Sequence, residues 1–233
     1  MSNILITGSN RGLGLEFVRQ TLVRGDRVVA GFRNPKKLSE LNMLSEQYSD
    51  QLVLLKLDVT QIKDIESAIE RITSSVGRLD ILINNAGIQS DHDFLPQLNS
   101  DDLLEIFHVN AVAPIILAQK CLPLLKSGKR PAKIINITSM MGSLQSNQSG
   151  GYYGYRASKA ALNRFFRALA NDVRQESIIV AMLHPGWVHT DMGGSQAPLS
   201  PGESVKGMLK VIDDLSLKDT GKFFTWQGEE YPC

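Results

Sequence analysis

The chain has 233 residues, 42% of them hydrophobic, with 25 Lys and Arg against 24 Asp and Glu and a formal net charge of +1. That balance leaves no electrostatic footprint for nucleic acid or an anionic membrane surface, and two cysteines, Cys121 and Cys233, are too few for a disulfide framework or a zinc cluster. The length suits one domain over residues 1–233, and with no basic leader before Gly8 and no run near ~18 apolar residues a cytoplasmic location is expected.

Short runs rich in Ile, Val and Leu alternate with helical patterns along the whole chain. Strands are expected at 3–7, 27–32, 52–57, 79–84, 133–137, 178–183 and 222–226. Such an alternation folds into an α/β domain, a doubly wound parallel sheet with helices on both faces and a binding crevice at the carboxyl ends of its strands.

The first strand runs into Gly8-Ser9-Asn10-Arg11-Gly12-Leu13-Gly14 and then a helix on Leu15, Val18 and Leu22. Strand, glycine turn and helix N-terminus together form a phosphate cradle of backbone N–H groups. Its spacing, Gly-x-x-x-Gly-x-Gly, differs from the general Gly-x-Gly-x-x-Gly fingerprint. After the second strand, Arg33 stands nineteen positions past Gly14, where an acidic residue would select NAD. A guanidinium there suits a 2′-phosphate, and Arg11 within the loop could reach the same group, so NADP(H) is expected over NAD. The alternative is that both are surface arginines.

Further along, Ile62, Ile65, Ile69, Ile72 and Val76 mark a helix stopped by Gly77. Asn84-Asn85-Ala86-Gly87 closes the fourth strand. Asn110 precedes Pro114 by four residues in a helical pattern. Proline has no N–H for the carbonyl four residues back. The Asn110 carbonyl is then free to hold a water on a path to Lys159, or it is simply solvated at a kink. Ser139 follows the fifth strand and could point a substrate carbonyl at Tyr155. A nucleophilic serine is the rival, but there is no Gly-x-Ser-x-Gly elbow, and neither His184 nor His189 has an orienting acid nearby in sequence.

Tyr155-Arg156-Ala157-Ser158-Lys159 puts a phenol and an ammonium on one helix face, followed by a core stripe of Leu162, Phe165, Phe166, Leu169 and Val173. A free phenol titrates near ~10, so acid work at neutral pH asks for roughly 3 units of lowering, about 4 kcal/mol. One cation gives ~1–3 units, which makes Lys159 marginal unless a second positive charge is present. The sixth strand ends at Pro185-Gly186-Trp187-Val188-His189-Thr190, again at the crevice.

Taken together, Thr7-Gly8-x-x-x-Gly12-x-Gly14, Asn84-Asn85-Ala86-Gly87, Asn110, Ser139, Tyr155-x-x-x-Lys159 and Pro185-Gly186 resemble the short-chain dehydrogenase/reductase family in its compact branch, and within it the sniffer-type carbonyl reductases and C-factor-like group. The resemblance implies a Rossmann fold of seven strands in order 3-2-1-4-5-6-7 and an NADPH-dependent reduction of a carbonyl to an alcohol. It makes Tyr155 the general acid, has Lys159 hold the nicotinamide ribose and lower the tyrosine pKa, has Ser139 orient the substrate, and has Asn110 hold a relay water. For the nucleotide it implies Gly8, Asn10, Arg11, Gly12, Leu13, Gly14 and Arg33 on the phosphates, Asp58 and Val59 on the adenine side, and Asn85, Ala86 and Gly87 on the ribose side. Pro185, Gly186, Val188 and Thr190 would complete the site. It also implies a homodimer through helices at 101–125 and 155–175.

Two features depart from the family pattern. The tail reads Glu230-Tyr231-Pro232-Cys233, and the loop from Thr190 to Pro201 is short, which suggests an open pocket for small or flat carbonyls. Met140, Met141, Leu144, Trp187 and Met192 could line that pocket, or could be core. The rival functions are a nucleotide-binding regulator without turnover, an NAD-linked alcohol dehydrogenase of the same fold and an interaction-only scaffold.

Overall fold

In the computed structural model, which describes residues 1–127, 131–145 and 147–232, the seven apolar runs form one parallel sheet. They are β1 (Asn3–Thr7), β2 (Arg27–Phe32), β3 (Leu52–Lys56), β4 (Ile81–Asn84), β5 (Ala132–Ile137), β6 (Ile178–His184) and β7 (Lys222–Thr225). Their spatial order is β3-β2-β1-β4-β5-β6-β7, as the resemblance implied. The order reverses between β1 and β4, which is where this architecture opens its crevice.

Side chains alternate across the sheet and both faces are covered. Leu5, Leu82, Ile134 and Val180 point to one core, together with Ile65 and Ile72 of α3 (Ile62–Ser75), Leu117 of α5 (Ala113–Lys126) and Phe166 of α6 (Tyr153–Asp172). Ile4, Ile6, Ile83 and Ile135 point the other way, against Phe17 of α1 (Gly12–Val23), Leu41 of α2 (Ser39–Gln47) and Met208 of α7 (Pro201–Asp214). This is why the strands read as unbroken apolar runs rather than as alternating ones. Phe17 and Phe166 are fully buried, each worth about 1.5–3 kcal/mol of hydrophobic stabilisation.

Local chemistry sets the helix ends. Gly77, at φ +75, ends α3 in the left-handed region open to glycine. A reciprocal capping box of Ser200 and Glu203, with Pro201 in the first turn, starts α7. Two expectations need correction, and the tail adds a finding. Leu79 is not in the β4 ladder, because its N–H goes to the Leu124 carbonyl on α5. Residues 100–126 form one 27-residue helical run, α4 (Ser100–Phe107), a π-helical turn (His108–Val112) and α5, apolar enough by composition to cross a membrane. Its most apolar stretch is 56% buried inside the fold, so it serves as a core helix. The tail packs: the Tyr231 ring meets Phe223 edge-on at 5.4 Å, and its N–H reaches the Phe223 carbonyl. Cys233 lies outside the described residues.

Candidate active site

The carboxyl ends of β1 and β4 are stapled together. Thr7 Oγ1 accepts the N–H groups of Asn85 and Ala86, both at 3.0 Å, while Asn85 Nδ2 donates to the Thr7 carbonyl at 2.8 Å. The loop Gly8–Gly14 therefore sits at a fixed height over the sheet. No side chain caps the start of α1, and no acidic residue stands in its first turn. Its free N–H groups and dipole face the crevice, an environment suited to an anion. A Cβ at Gly14 would lie 2.1 Å from the Gly8 carbonyl, so only glycine lets the helix close onto the loop.

A cavity of about 310 Å³ runs from this loop to Tyr155. Gly8, Asn10, Arg11, Gly12, Leu13 and Gly14 form one wall, Arg33, Asp58 and Val59 another, and Asn85, Ala86 and Gly87 the floor. Tyr155, Lys159, Pro185 and Thr190 complete it. Four of the predicted residues lie outside the lining. Gly186, at φ +85, turns the chain against Leu199 and Trp226, and Val188 is buried where its backbone bridges to Leu199. Ser139 and Asn110 are buried residues outside the lining.

Several lining residues went unnoticed in the sequence. Ile88, Ile137 and Thr138 are among them, and so are Asp191 and, beside Arg33, Lys37. Asn34 folds the segment after β2, its Oδ1 accepting the Lys36 N–H at 2.9 Å, and Asn10 Nδ2 reaches the Lys37 carbonyl at 3.4 Å. Two cations on one loop thus border the same end. The recurrence of Arg33 and Lys37 four apart was the available signal. Arg11 is engaged elsewhere, with Nη1 2.7 Å from Asp191 Oδ2, a pair exposed on both sides. Asp58 folds its own turn by accepting the N–H and hydroxyl of Thr60.

At the other end, α6 presents Tyr155 and, one turn on, Lys159, whose Nζ lies 5.6 Å from the phenol ring centre and donates to the Ile137 carbonyl at 2.9 Å. Lys159 is 4% exposed, and burial pushes its pKa down to about 8. Ser139, two residues past β5, accepts the Met141 N–H at 3.1 Å and hydrogen-bonds the Tyr155 hydroxyl. The expected lowering of the phenol pKa by Lys159 is not seen. Burial pushes Tyr155 up to about 12, with the Ser139 hydrogen bond opposing it. Removal from water sets the direction of the shift, so the hydroxyl holds its proton across the neutral range.

The chain meets Pro114 by widening into the π turn His108–Val112, where the Ala113 N–H bonds the His108 carbonyl five residues back. The Asn110 side chain is fully used: Oδ1 accepts the Ile88 N–H at 2.8 Å, while Nδ2 donates to the Ile88 carbonyl at 2.8 Å and to Ser158 Oγ at 3.0 Å. It locks the segment after β4 to α6. A Cβ at Gly87 would lie 3.3 Å from Asn110 Oδ1 and 3.6 Å from Lys159 Nζ, so the two residues share one small patch beneath the cavity floor. Of the residues considered for the substrate pocket, only Met192 lines the cavity. Trp187 is 58% exposed with its indole N–H on the Gly193 carbonyl, and Leu144 projects outward.

Known proteins are similar to this chain in sequence and fold. The family profile described as short chain dehydrogenase matches residues 2–199. The structure of the carbonyl reductase Sniffer of D. melanogaster superposes with a TM-score of 0.95 at 36% identity, covering 100% of both chains. That of an NADPH-bound carbonyl reductase from chicken fatty liver gives 0.94 at 37%, covering 100% of this chain and 99% of the other. The C-signal protein of Myxococcus xanthus is 44% identical over 156 residues, 67% of this chain and 93% of its own. With the family profile matched from β1 to beyond β6, this chain belongs to the short-chain dehydrogenase family of oxidoreductases.

Proposed function

We propose that this chain is an NADPH-dependent carbonyl reductase in which Tyr155 is the general acid. The observation that carries the reading is the placement of a protonated, Ser139-bonded phenol at one end of a cavity whose far end bears Arg33 and Lys37. The cavity suits a phosphorylated dinucleotide on its own features. The tight glycine turn that Gly14 allows to close and the unpaired first turn of α1 suit a pyrophosphate, and the two cations suit a 2′-phosphate. The NADPH-bound chicken reductase is consistent with that choice.

When bound, NADPH supplies the hydride that reduces the carbonyl carbon. The chain's residues do the rest. Ser139 holds the carbonyl oxygen beside the Tyr155 hydroxyl, and Tyr155 releases its proton to that oxygen as negative charge develops there. Lys159, buried and tethered to the Ile137 carbonyl, would hold the nicotinamide ribose and steadies the phenolate left behind. In this reading the Asn110 carbonyl, within the π turn, would hold a water that returns the proton through Lys159. The short loop after Thr190 and the single lining methionine, Met192, favour small or flat carbonyls.

A homodimer through α4–α5 and α6 fits the exposure of Leu104 and Phe165 on those helices, and sedimentation velocity tests it. The function itself is tested by following NADPH absorbance against a panel of aldehydes, quinones and diketones, with NADH in parallel. The reading expects turnover of several panel members and a preference for NADPH. NADPH binding with no turnover of any carbonyl would instead favour a nucleotide-dependent regulator.

A further inference from the structure

The helix that carries Tyr155 begins without a local cap. Tyr152 precedes it at φ +54, in the left-handed region, and offers no side-chain hydrogen bond to the first turn. The missing acceptor comes from a distant loop. Asp93 Oδ1 accepts the Gly154 N–H at 2.7 Å, Oδ2 accepts the N–H of Tyr155 itself at 2.9 Å, and the Asp93 carbonyl accepts the Tyr152 N–H at 2.7 Å. Although its immediate neighbours are exposed, Asp93 is only 1% exposed. A carboxylate withdrawn from water that far is costly unless its charge is met. Here two N–H groups and the positive end of a 20-residue helix meet it.

The surrounding contacts show a clamp rather than a chance encounter. The Phe94 ring stands edge-on to Tyr152 with centres 4.6 Å apart. A Cβ at Gly151 would lie 2.5 Å from that ring, and its φ of +79 is open to glycine, so the ring rests directly on the backbone there. The same loop is fixed at its other points. Asn110 grips Ile88, Gln89 Nε2 donates to the Met192 carbonyl at 3.2 Å, and Ser90 Oγ donates to Asp102 Oδ2 at 2.9 Å. One segment, 88–94, thus ties the cavity floor, the loop after β6 and the first turn of α6 to one another.

We propose that Asp93 is a positioning residue for the reaction: its carboxylate caps the catalytic helix from outside and so fixes the height and direction of the Tyr155 phenol in the cavity. This rests on the reading of Tyr155 as proton donor. Loss of the cap lets the first turn fray, and a displacement near 1 Å at a reacting group can cost on the order of a hundred-fold in rate. Nucleotide binding depends on the loop at Gly8–Gly14 and on Arg33 and Lys37, far from this cap, and is expected to persist.

The test compares wild type, Asp93→Asn, Asp93→Ala and Tyr155→Phe in NADPH-dependent reduction of para-nitrobenzaldehyde, with NADPH affinity read by nicotinamide fluorescence and amide exchange read by mass spectrometry. Asparagine keeps one acceptor oxygen and alanine none. The expected result is a graded fall in kcat, roughly ten-fold for Asp93→Asn and a hundred-fold for Asp93→Ala, with KM and NADPH affinity within about two-fold of wild type. Exchange at Gly154 and Tyr155 should quicken at least ten-fold while amides at Leu162 and Phe166 keep their protection.

A kcat unchanged in Asp93→Asn, or unchanged exchange at those two amides, overturns the proposal. If neither variant folds, wild-type exchange decides: slow Gly154 and Tyr155 amides support the cap, and exchange as fast as in exposed loops refutes it. Tyr155→Phe separates the two readings, since retained turnover there would overturn the acid role while the exchange data still judge Asp93.

Discussion

The two ends of the cavity are built on opposite physical plans. At the Tyr155 end three polar side chains are buried and tied down: Lys159 to the Ile137 carbonyl, Ser139 to the Met141 N–H, and Asn110 to both backbone groups of Ile88. At the other end Arg11, Arg33 and Lys37 are exposed, and the ion pair in which Arg11 engages spans two exposed side chains. A reacting centre gains from preorganised groups in a low-dielectric setting, because they need no reorganisation as charge moves. A phosphate-selecting end needs only charge of the right sign within reach, and a mobile cation can supply it without the cost of burying that charge. The buried end should therefore punish mutation in stability, and the exposed end in cofactor choice.

That contrast can be broken first at Asn110. Asn110→Ala removes three buried hydrogen bonds, and at about 1 kcal/mol each it should lower unfolding free energy by about 3 kcal/mol, measured by urea denaturation. A loss under ~1 kcal/mol would mean that the floor is not held as described.

Lys159 gives a pH test of the same end. Its pKa falls from 10.5 to about 8 on folding, so below pH 8 the folded protein carries a buried ammonium at a cost of about 3 kcal/mol. The cost disappears as pH rises from about 8 towards 10.5. Wild type should gain stability relative to Lys159→Met across that window, and parallel curves would show that the amine is not desolvated.

The exposed end is expected to respond in specificity. Arg33→Asp should shift the NADPH-to-NADH ratio of kcat/KM by one to two decades, about 1.4–2.8 kcal/mol, while leaving unfolding free energy within ~0.5 kcal/mol. The smallest effect belongs to the pair Arg11–Asp191. Asp191→Ala should cost no more than ~1 kcal/mol of stability, as exposed pairs do. By freeing Arg11 it should strengthen NADPH binding slightly, read by fluorescence titration.

Features carried by contiguous residues were legible from the amino-acid string. The Gly8–Gly14 turn between a strand and a helix, the Tyr155-x-x-x-Lys159 spacing and the apolar runs of all seven strands each declare themselves locally. What escaped depends on partners distant in sequence. Asp93 reads as one acid in a polar loop until α6 is seen resting on it, sixty-one residues later. Asp191 reads as a loop acid until it meets Arg11 across 180 residues. The direction of the tyrosine shift was misjudged because spacing reveals a neighbouring cation but not the depth at which both groups lie. Pro114 signalled a break in helical hydrogen bonding, yet only the fold reveals that the chain answers it with a π turn and turns the Asn110 side chain onto Ile88.

The most direct measurement is the turnover of Tyr155→Phe under saturating NADPH with a carbonyl that wild type reduces. Loss of a positioned general acid should lower kcat by roughly two to four decades, with NADPH affinity unchanged, since the phenol lies at the far end of the cavity from Arg33 and Lys37. Turnover within a few-fold of wild type would contradict the assignment of Tyr155 as the proton donor.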